Sequence, residues 1–275
     1  MQSTKYRKNP NAAIQNISVS KNTEKSNKLS KWWNGAYVMQ EHGSKKNIKN
    51  FIWFLVAILP TIIYGAYINT SKTFSKNSKP VGTMKINTIN NWLDLYNIYQ
   101  NEGFEGLMFW SPFALINLLF FLNIDVGFYL IGLFQKSFWL IDPYWSILPF
   151  VYGLIYITHP LAIFSTRSMT SLILVFIWGV RLTHSYFRRE GWKFGEREDW
   201  RYTKMAKDFG RPGWYFISFF AVGIAQHPMI VGISLPLYSV TFGPNAASDW
   251  NWLDTLGMHI YFFQFITSSS RGKNL

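Results

Sequence analysis

FIWFLVAILPTIIYGAYI, residues 51 to 68, holds eighteen residues without one charged side chain. At 1.5 Å of rise per residue a helix of that length nearly covers the roughly 30 Å of bilayer hydrocarbon. Pro60 predicts a bend, which membrane helices tolerate because neighbouring groups satisfy the freed carbonyl. Similar stretches follow at 107–122, 126–141, 145–164, 169–187, 214–240 and 256–267, so five to seven membrane segments are expected. Strict alternation of apolar and polar residues is missing, which excludes a barrel. The fold class is therefore all-α, a polytopic helical transmembrane bundle.

The rest of the composition agrees. The chain has 275 residues with 27 Lys plus Arg against 14 Asp plus Glu, a net charge of +13, 19% aromatic residues and no Cys. Without thiols, disulfide scaffolds, thiolate metal sites and cysteine nucleophiles are excluded. The charge lies in blocks between apolar segments rather than along one face of amphipathic helices, a membrane pattern and not one for nucleic acid. If the basic blocks 1–50 and 188–211 share one side of the membrane, an even number of crossings must separate them. Asn123, Asp125, Gln135 and Lys136 make 107–122 and 126–141 the weakest pair, and a re-entrant or single tilted span there restores parity.

Three regions complete the organisation: a flexible basic tail at 1–50, a membrane domain at 51–267 with a charged cytoplasmic loop at 188–213, and a short polar tail at 268–275. The tail lacks the apolar core of a secretory signal, although its scarcity of acids leaves a mitochondrial presequence open. Ile86, Ile89, Trp92, Leu93, Tyr96 and Tyr99 recur at helical spacing and predict a helix lying in the membrane interface.

The chemistry-bearing stretch is 178–213, WGVRLTHSYFRREGWKFGEREDWRYTKMAKDFGRPG. Arg181, His184, Ser185 and Arg188 form one polar stripe at i, i+3, i+4 and i+7. Acids and bases then alternate through Glu190, Glu196, Arg197, Glu198, Asp199 and Arg201, flanked by Trp192, Trp200 and Tyr202. A plain positive anchor needs no acids. This mixture predicts a folded cap whose arginines meet an anionic ligand such as a nucleotide phosphate, against the simpler alternative of a solvated, salt-bridged loop.

The strings R-L-T-H-S-Y-F-R-R-E-G-W and G-E-R-E-D-W-R-Y resemble the signature of the DUF1295 family, which shares the steroid 5α-reductase C-terminal domain. Ile141-Asp142-Pro143-Tyr144-Trp145 and Leu235-Pro236-Leu237-Tyr238 are similar as well, and the likeness spans about 92–257. The resemblance implies a membrane oxidoreductase that uses NADPH to reduce a carbon–carbon double bond conjugated to a carbonyl in a steroid or other lipid. It places Arg181, Arg188, Glu198, Asp199, Arg201 and Tyr202 near the nicotinamide nucleotide and assigns no catalytic residue. Relatives carry a later S-R-H-P-N-Y-x-G-E-like segment that is not found before Leu275. The expectation is weak or absent catalysis, with a non-catalytic scaffold or accessory membrane subunit as the second reading.

His159, His184, His227 and His259 stand at no metal-ligand spacing, so no metal or haem is expected and hydrogen-bonded kink positions are. Gln226-His227-Pro228 marks a polar break in 214–240, read as a kink rather than two half-helices around a ligand. Gly191 and Gly195 form no dinucleotide fingerprint. Expected partners are membrane lipids, a lipid substrate and other membrane subunits, in the endoplasmic reticulum or another endomembrane, with a mitochondrial membrane as the alternative.

Overall fold

A computed structural model describes residues 44–70 and 92–271, all of whose regular elements are helical. The helices are α1 (Ser44–Val56), α2 (Leu59–Thr70), α3 (Trp92–Trp110), α4 (Pro112–Leu119), α5 (Tyr129–Gln135), α6 (Ile141–Ile157), α7 (Thr166–Arg189), α8 (Trp200–Ser218), α9 (His227–Phe242) and α10 (Trp252–Arg271). π-helical segments at Phe120–Phe128 and Phe219–Ile224 continue α4 into α5 and extend α8. The expected basic tail lies outside the described residues up to position 43, and α1 takes up its last seven positions.

Among the described residues, three helical columns are long and apolar enough to cross a membrane: Lys46–Thr70, Pro112–Gln135 and Pro212–Phe242. The first bends at Ala57 and Ile58, just ahead of Pro60, whose ring cannot continue the hydrogen-bond ladder. The second fuses two of the seven expected segments. Asn123 and Asp125 do not break the helix because both turn inward and find partners there. Asn123 donates to Thr61 Oγ1 at 2.9 Å, and Asp125 meets His227 at 2.6 Å. The third column carries the polar break as a kink, since His227 opens α9 directly after a turn at Ala225 and Gln226.

Two other segments differ from expectation. The apolar stretch 145–164 is helical only to Ile157, with Thr158 as its C-cap, because His159 stands directly before Pro160 and that position disfavours the helical region. Helix α7 runs 24 residues but carries Arg167, Arg181, Arg188 and Arg189. It starts at a capping box in which Ser165 and Ser168 bond each other's backbone. Helix is present over the second half of the expected 86–99 stretch, as the first part of α3, ending at Gly103 with φ 72°. Leu93, Tyr96 and Tyr99 stand exposed on it, while Ile86 and Ile89 lie outside the described residues.

Helix α6 is the central column. Tyr144, Leu148, Tyr152 and Tyr156 repeat along it and are fully buried; the helix packs against α2, α7 and α9, and the Tyr144 and Tyr152 rings meet Phe128 and Phe120 of the first π-helical segment. The helices approach closely at Gly179, where an added Cβ would come within 2.6 Å of the Ser146 carbonyl oxygen.

Candidate functional site

The loop after α7 is folded onto the bundle. Phe194 donates its N–H to Asn47 Oδ1 at 2.6 Å, and Asn50 donates to the Phe194 carbonyl at 2.9 Å. Its ring packs between Phe51, Phe54 and Phe187. Glu198 accepts the Phe138 N–H at 2.5 Å, fixing the far end of the loop. Asp199 then caps α8 by accepting the Arg201 N–H at 2.8 Å.

Helix α8 is two pieces. Tyr202 and Ala206 are buried one turn apart, while Arg201, Lys204 and Lys207 are exposed, so residues 200–209 form an amphipathic cap. The backbone reverses into the left-handed region at Gly210 (φ 67°), which only glycine adopts cheaply, and the membrane column begins two residues later.

Between this cap and the ends of α6, α7 and α9 lies a cleft of about 1090 Å³. Five cations line it, Arg189, Arg197, Arg201, Lys204 and Lys207, together with the carboxylates of Asp142, Glu190, Glu198 and Asp199. Trp145, Tyr186, Trp200 and Tyr202 supply ring surface. Arg201 grips Asp199 through two bonds, Nη2 to Oδ2 at 2.6 Å and Nε to Oδ1 at 2.9 Å. That hydrogen bonding holds the Asp199 carboxyl below the usual range and raises Arg201 further. Glu190 is shared by Arg189 at 3.1 Å and Arg197 at 3.8 Å. Asp142 sits in the first turn of α6, where burial, and then the negative charges of Asp199 and Glu198, push its pKa up to about 7. Burial likewise raises the Tyr202 phenol.

Four of the six sequence-derived residues come together here: Glu198, Asp199, Arg201 and Tyr202. Arg181 and Arg188 do not line the cleft. Arg181 places its guanidinium 4.9 Å from the Phe265 ring centre, towards α10, and Arg188 is exposed on another face of α7. The i, i+3, i+4, i+7 stripe is real, but it is not the face that α8 covers. Arg189 was legible only as one of the bases of the charged cap, and sequence reasoning missed Asp142, Tyr186, Lys204, Lys207 and Gln226 as lining residues. Asp142 stood inside one of the quoted family strings, the only signal available for it. Among the described residues no cluster of three or more His, Asp or Glu could hold a metal ion.

A family model described as "Protein of unknown function (DUF1295)" matches residues 128–270. The chain belongs to the DUF1295 family. The match takes in Asp142, the loop, the cap helix and all of α9, so every lining residue of the cleft lies within the DUF1295 region. A fission yeast relative, "Uncharacterized protein C594.04c" of Schizosaccharomyces pombe, is 27% identical over 164 residues. That alignment covers 57% of this DUF1295 chain and 45% of the relative, so the chain spans less than half of that protein's length. No solved structure matches the chain.

Proposed function

We propose that this DUF1295 protein is a membrane-embedded reductase that binds NADPH in the cleft and reduces a conjugated carbon–carbon double bond of a steroid or other lipid. The observation that carries the reading is the cleft's combination of size, charge and ring surface. Its volume is at the upper end for a small-molecule site, which suits a dinucleotide. Five cations face four carboxylates, one of which is neutral for much of the time near pH 7, leaving a positive surplus for phosphates. Trp145, Trp200 and Tyr186 offer flat surfaces for the nucleotide rings, and the remaining acids suit ribose hydroxyls. The bound cofactor would supply a hydride; the protein would bind its phosphates at Arg189, Arg197, Arg201, Lys204 and Lys207. The apolar columns set the cleft at a membrane surface, and an endomembrane such as the endoplasmic reticulum is the proposed location.

A second reading is favoured by the ion pairs already made. Arg201 with Asp199, and Glu190 with Arg189 and Arg197, would equally brace a non-catalytic scaffold or accessory membrane subunit. Thermal unfolding of the purified protein with and without NADPH separates the two. Cofactor present at about 100 times its Kd stabilises the folded state by about 2.7 kcal/mol. An unmoved transition at saturating NADPH rejects the nucleotide site and leaves the scaffold.

A further inference from the structure

Inside the bundle the two π-helical segments lie against each other, and a Cβ on Gly223 would stand 3.3 Å from the Asp125 carbonyl oxygen. π-turns give up regular i→i−4 hydrogen bonding, are rare, and sit frequently at functional sites. Here they present Asp125, whose side chain is 0% exposed, to His227, whose side chain is 18% exposed.

The hydrogen bonds fix where the protons are. His227 Nδ1 lies 2.6 Å from Asp125 Oδ2, and Nε2 lies 3.1 Å from Asn117 Oδ1. Asn117 donates its Nδ2 to the Phe113 carbonyl at 2.8 Å, so the oxygen of its amide is the atom that faces the ring. Both ring nitrogens therefore look at oxygen acceptors. A carboxylate beside a neutral imidazole has one hydrogen for two contacts and would set lone pair against lone pair. Two hydrogens satisfy both: one on Nε2, the other between Nδ1 and Oδ2. The pair is then uncharged as a whole, as burial demands. Two further buried atoms have no hydrogen-bond partner, Asp125 Oδ1 and the Tyr152 hydroxyl. The Phe120 ring joins the neighbourhood, 4.5 Å from the His227 ring and 6.0 Å from that of Tyr152.

The geometry points to Asp125 and His227 as a proton-holding acid site within the membrane, whose shared proton is delivered to the lipid. Its use rests on the reduction proposed above; its existence does not. In that reaction a bound nicotinamide would supply the hydride for the C–H bond at one alkene carbon, and the protein's part would be the proton that forms the C–H bond at the other as the π bond breaks. The proton leaves the Oδ2–Nδ1 contact, a carboxylate and a neutral ring remain, and water restores the proton. Rotation of the carboxyl carries the proton to the side of Oδ1, the buried oxygen that has no hydrogen-bond partner, within electrostatic reach of Tyr152.

The test is a ¹⁵N-histidine NMR spectrum of the full chain in detergent at neutral pH, without cofactor or lipid. His227→Gln identifies the His227 signals among the five histidines. The expected spectrum has Nε2 as N–H and Nδ1 moved from the bare lone-pair position towards N–H. In Asp125→Asn, Nδ1 returns to the lone-pair position, since the amide has no proton to share and, with the single ring hydrogen kept on Nε2 towards Asn117, its Nδ2–H donates to a bare Nδ1. Should that variant not fold, Asn117→Ala serves, and loss of the fixed Nε2–H is expected. A wild-type Nδ1 signal at the bare lone-pair position overturns the site, as does a spectrum that neither variant alters. An intact proton signature in a protein that shows no NADPH binding refutes the reductase reading and with it the delivery step, but upholds the proton site. NADPH binding with a bare Nδ1 does the opposite.

Discussion

Helix α7 meets carboxylates at both ends, and the two ends are built differently. At its start Arg167 spends its donors on Asp254 at 2.8 and 2.7 Å, on the Asn245 carbonyl at 3.1 Å and on the Asp249 carbonyl at 3.0 Å. That mutual hydrogen bonding raises Arg167 and lowers Asp254. At the other end Arg189 shares a carboxylate with Arg197, and the cations around them outnumber the acids beside an open volume. Identical side chains thus make a closed clamp in one place and a receptive surface in the other. An arginine with four of its five donors engaged by fixed partners is structure; a surplus of cations around space is a place for an anion.

The sharpest break in that comparison comes from Asp142. Its pKa in the folded chain is about 7, above the unfolded value near 4, so the folded state holds the proton more firmly. Stability should fall as pH rises from about 4 to about 7 and level off above, a total on the order of 3 to 4 kcal/mol. Asp142→Asn should abolish that slope in thermal unfolding series across the same range. NADPH affinity should weaken over the same titration, as a new negative charge enters the cleft, and the asparagine variant should bind equally at pH 6 and 8. A slope that persists in Asp142→Asn would show that another group carries the pH dependence.

Next in size is Arg201→Ala, expected to weaken NADPH binding by about tenfold, the worth of one charge-assisted hydrogen bond. Calorimetric titration reads it directly. At the closed end, Asp254→Ala should lower Tm by roughly 3 °C with NADPH affinity unchanged, because a surface-proximal pair is screened even with bidentate geometry. A change in affinity there would mean that the two ends are coupled. The smallest effect belongs to Arg181→Ala, which should leave NADPH binding as it is, since that guanidinium lies on Phe265 rather than in the cleft.

Much of this was legible in one dimension. Helix-length runs without charge gave the class, and intermixed acids, bases and tryptophans gave a folded cap with Glu198, Asp199, Arg201 and Tyr202 in it. What was not legible depends on rotation and on distant pairing. Hydropathy averages over a helix's circumference, so Asn123 and Asp125 read as a break although both point inward to partners. Asp125 and His227 are separated by 102 positions, and no spacing rule links them. The stripe from Arg181 to Arg188 was correct as periodicity, but periodicity does not say which face a neighbour covers. Pro160 was visible, yet the apolar run across it outweighed its meaning for where α6 stops.

The left-handed turn at Gly210 has a mechanical side. It interrupts the ladder of hydrogen bonds between residues 200–209 and the column below, so the cap is jointed to its support by one residue's torsions rather than by a continuous rod. Tilting such a lever changes the width of the opening beneath Arg201 and Lys204 while the column stays upright, and a bulkier residue at the joint would seize it.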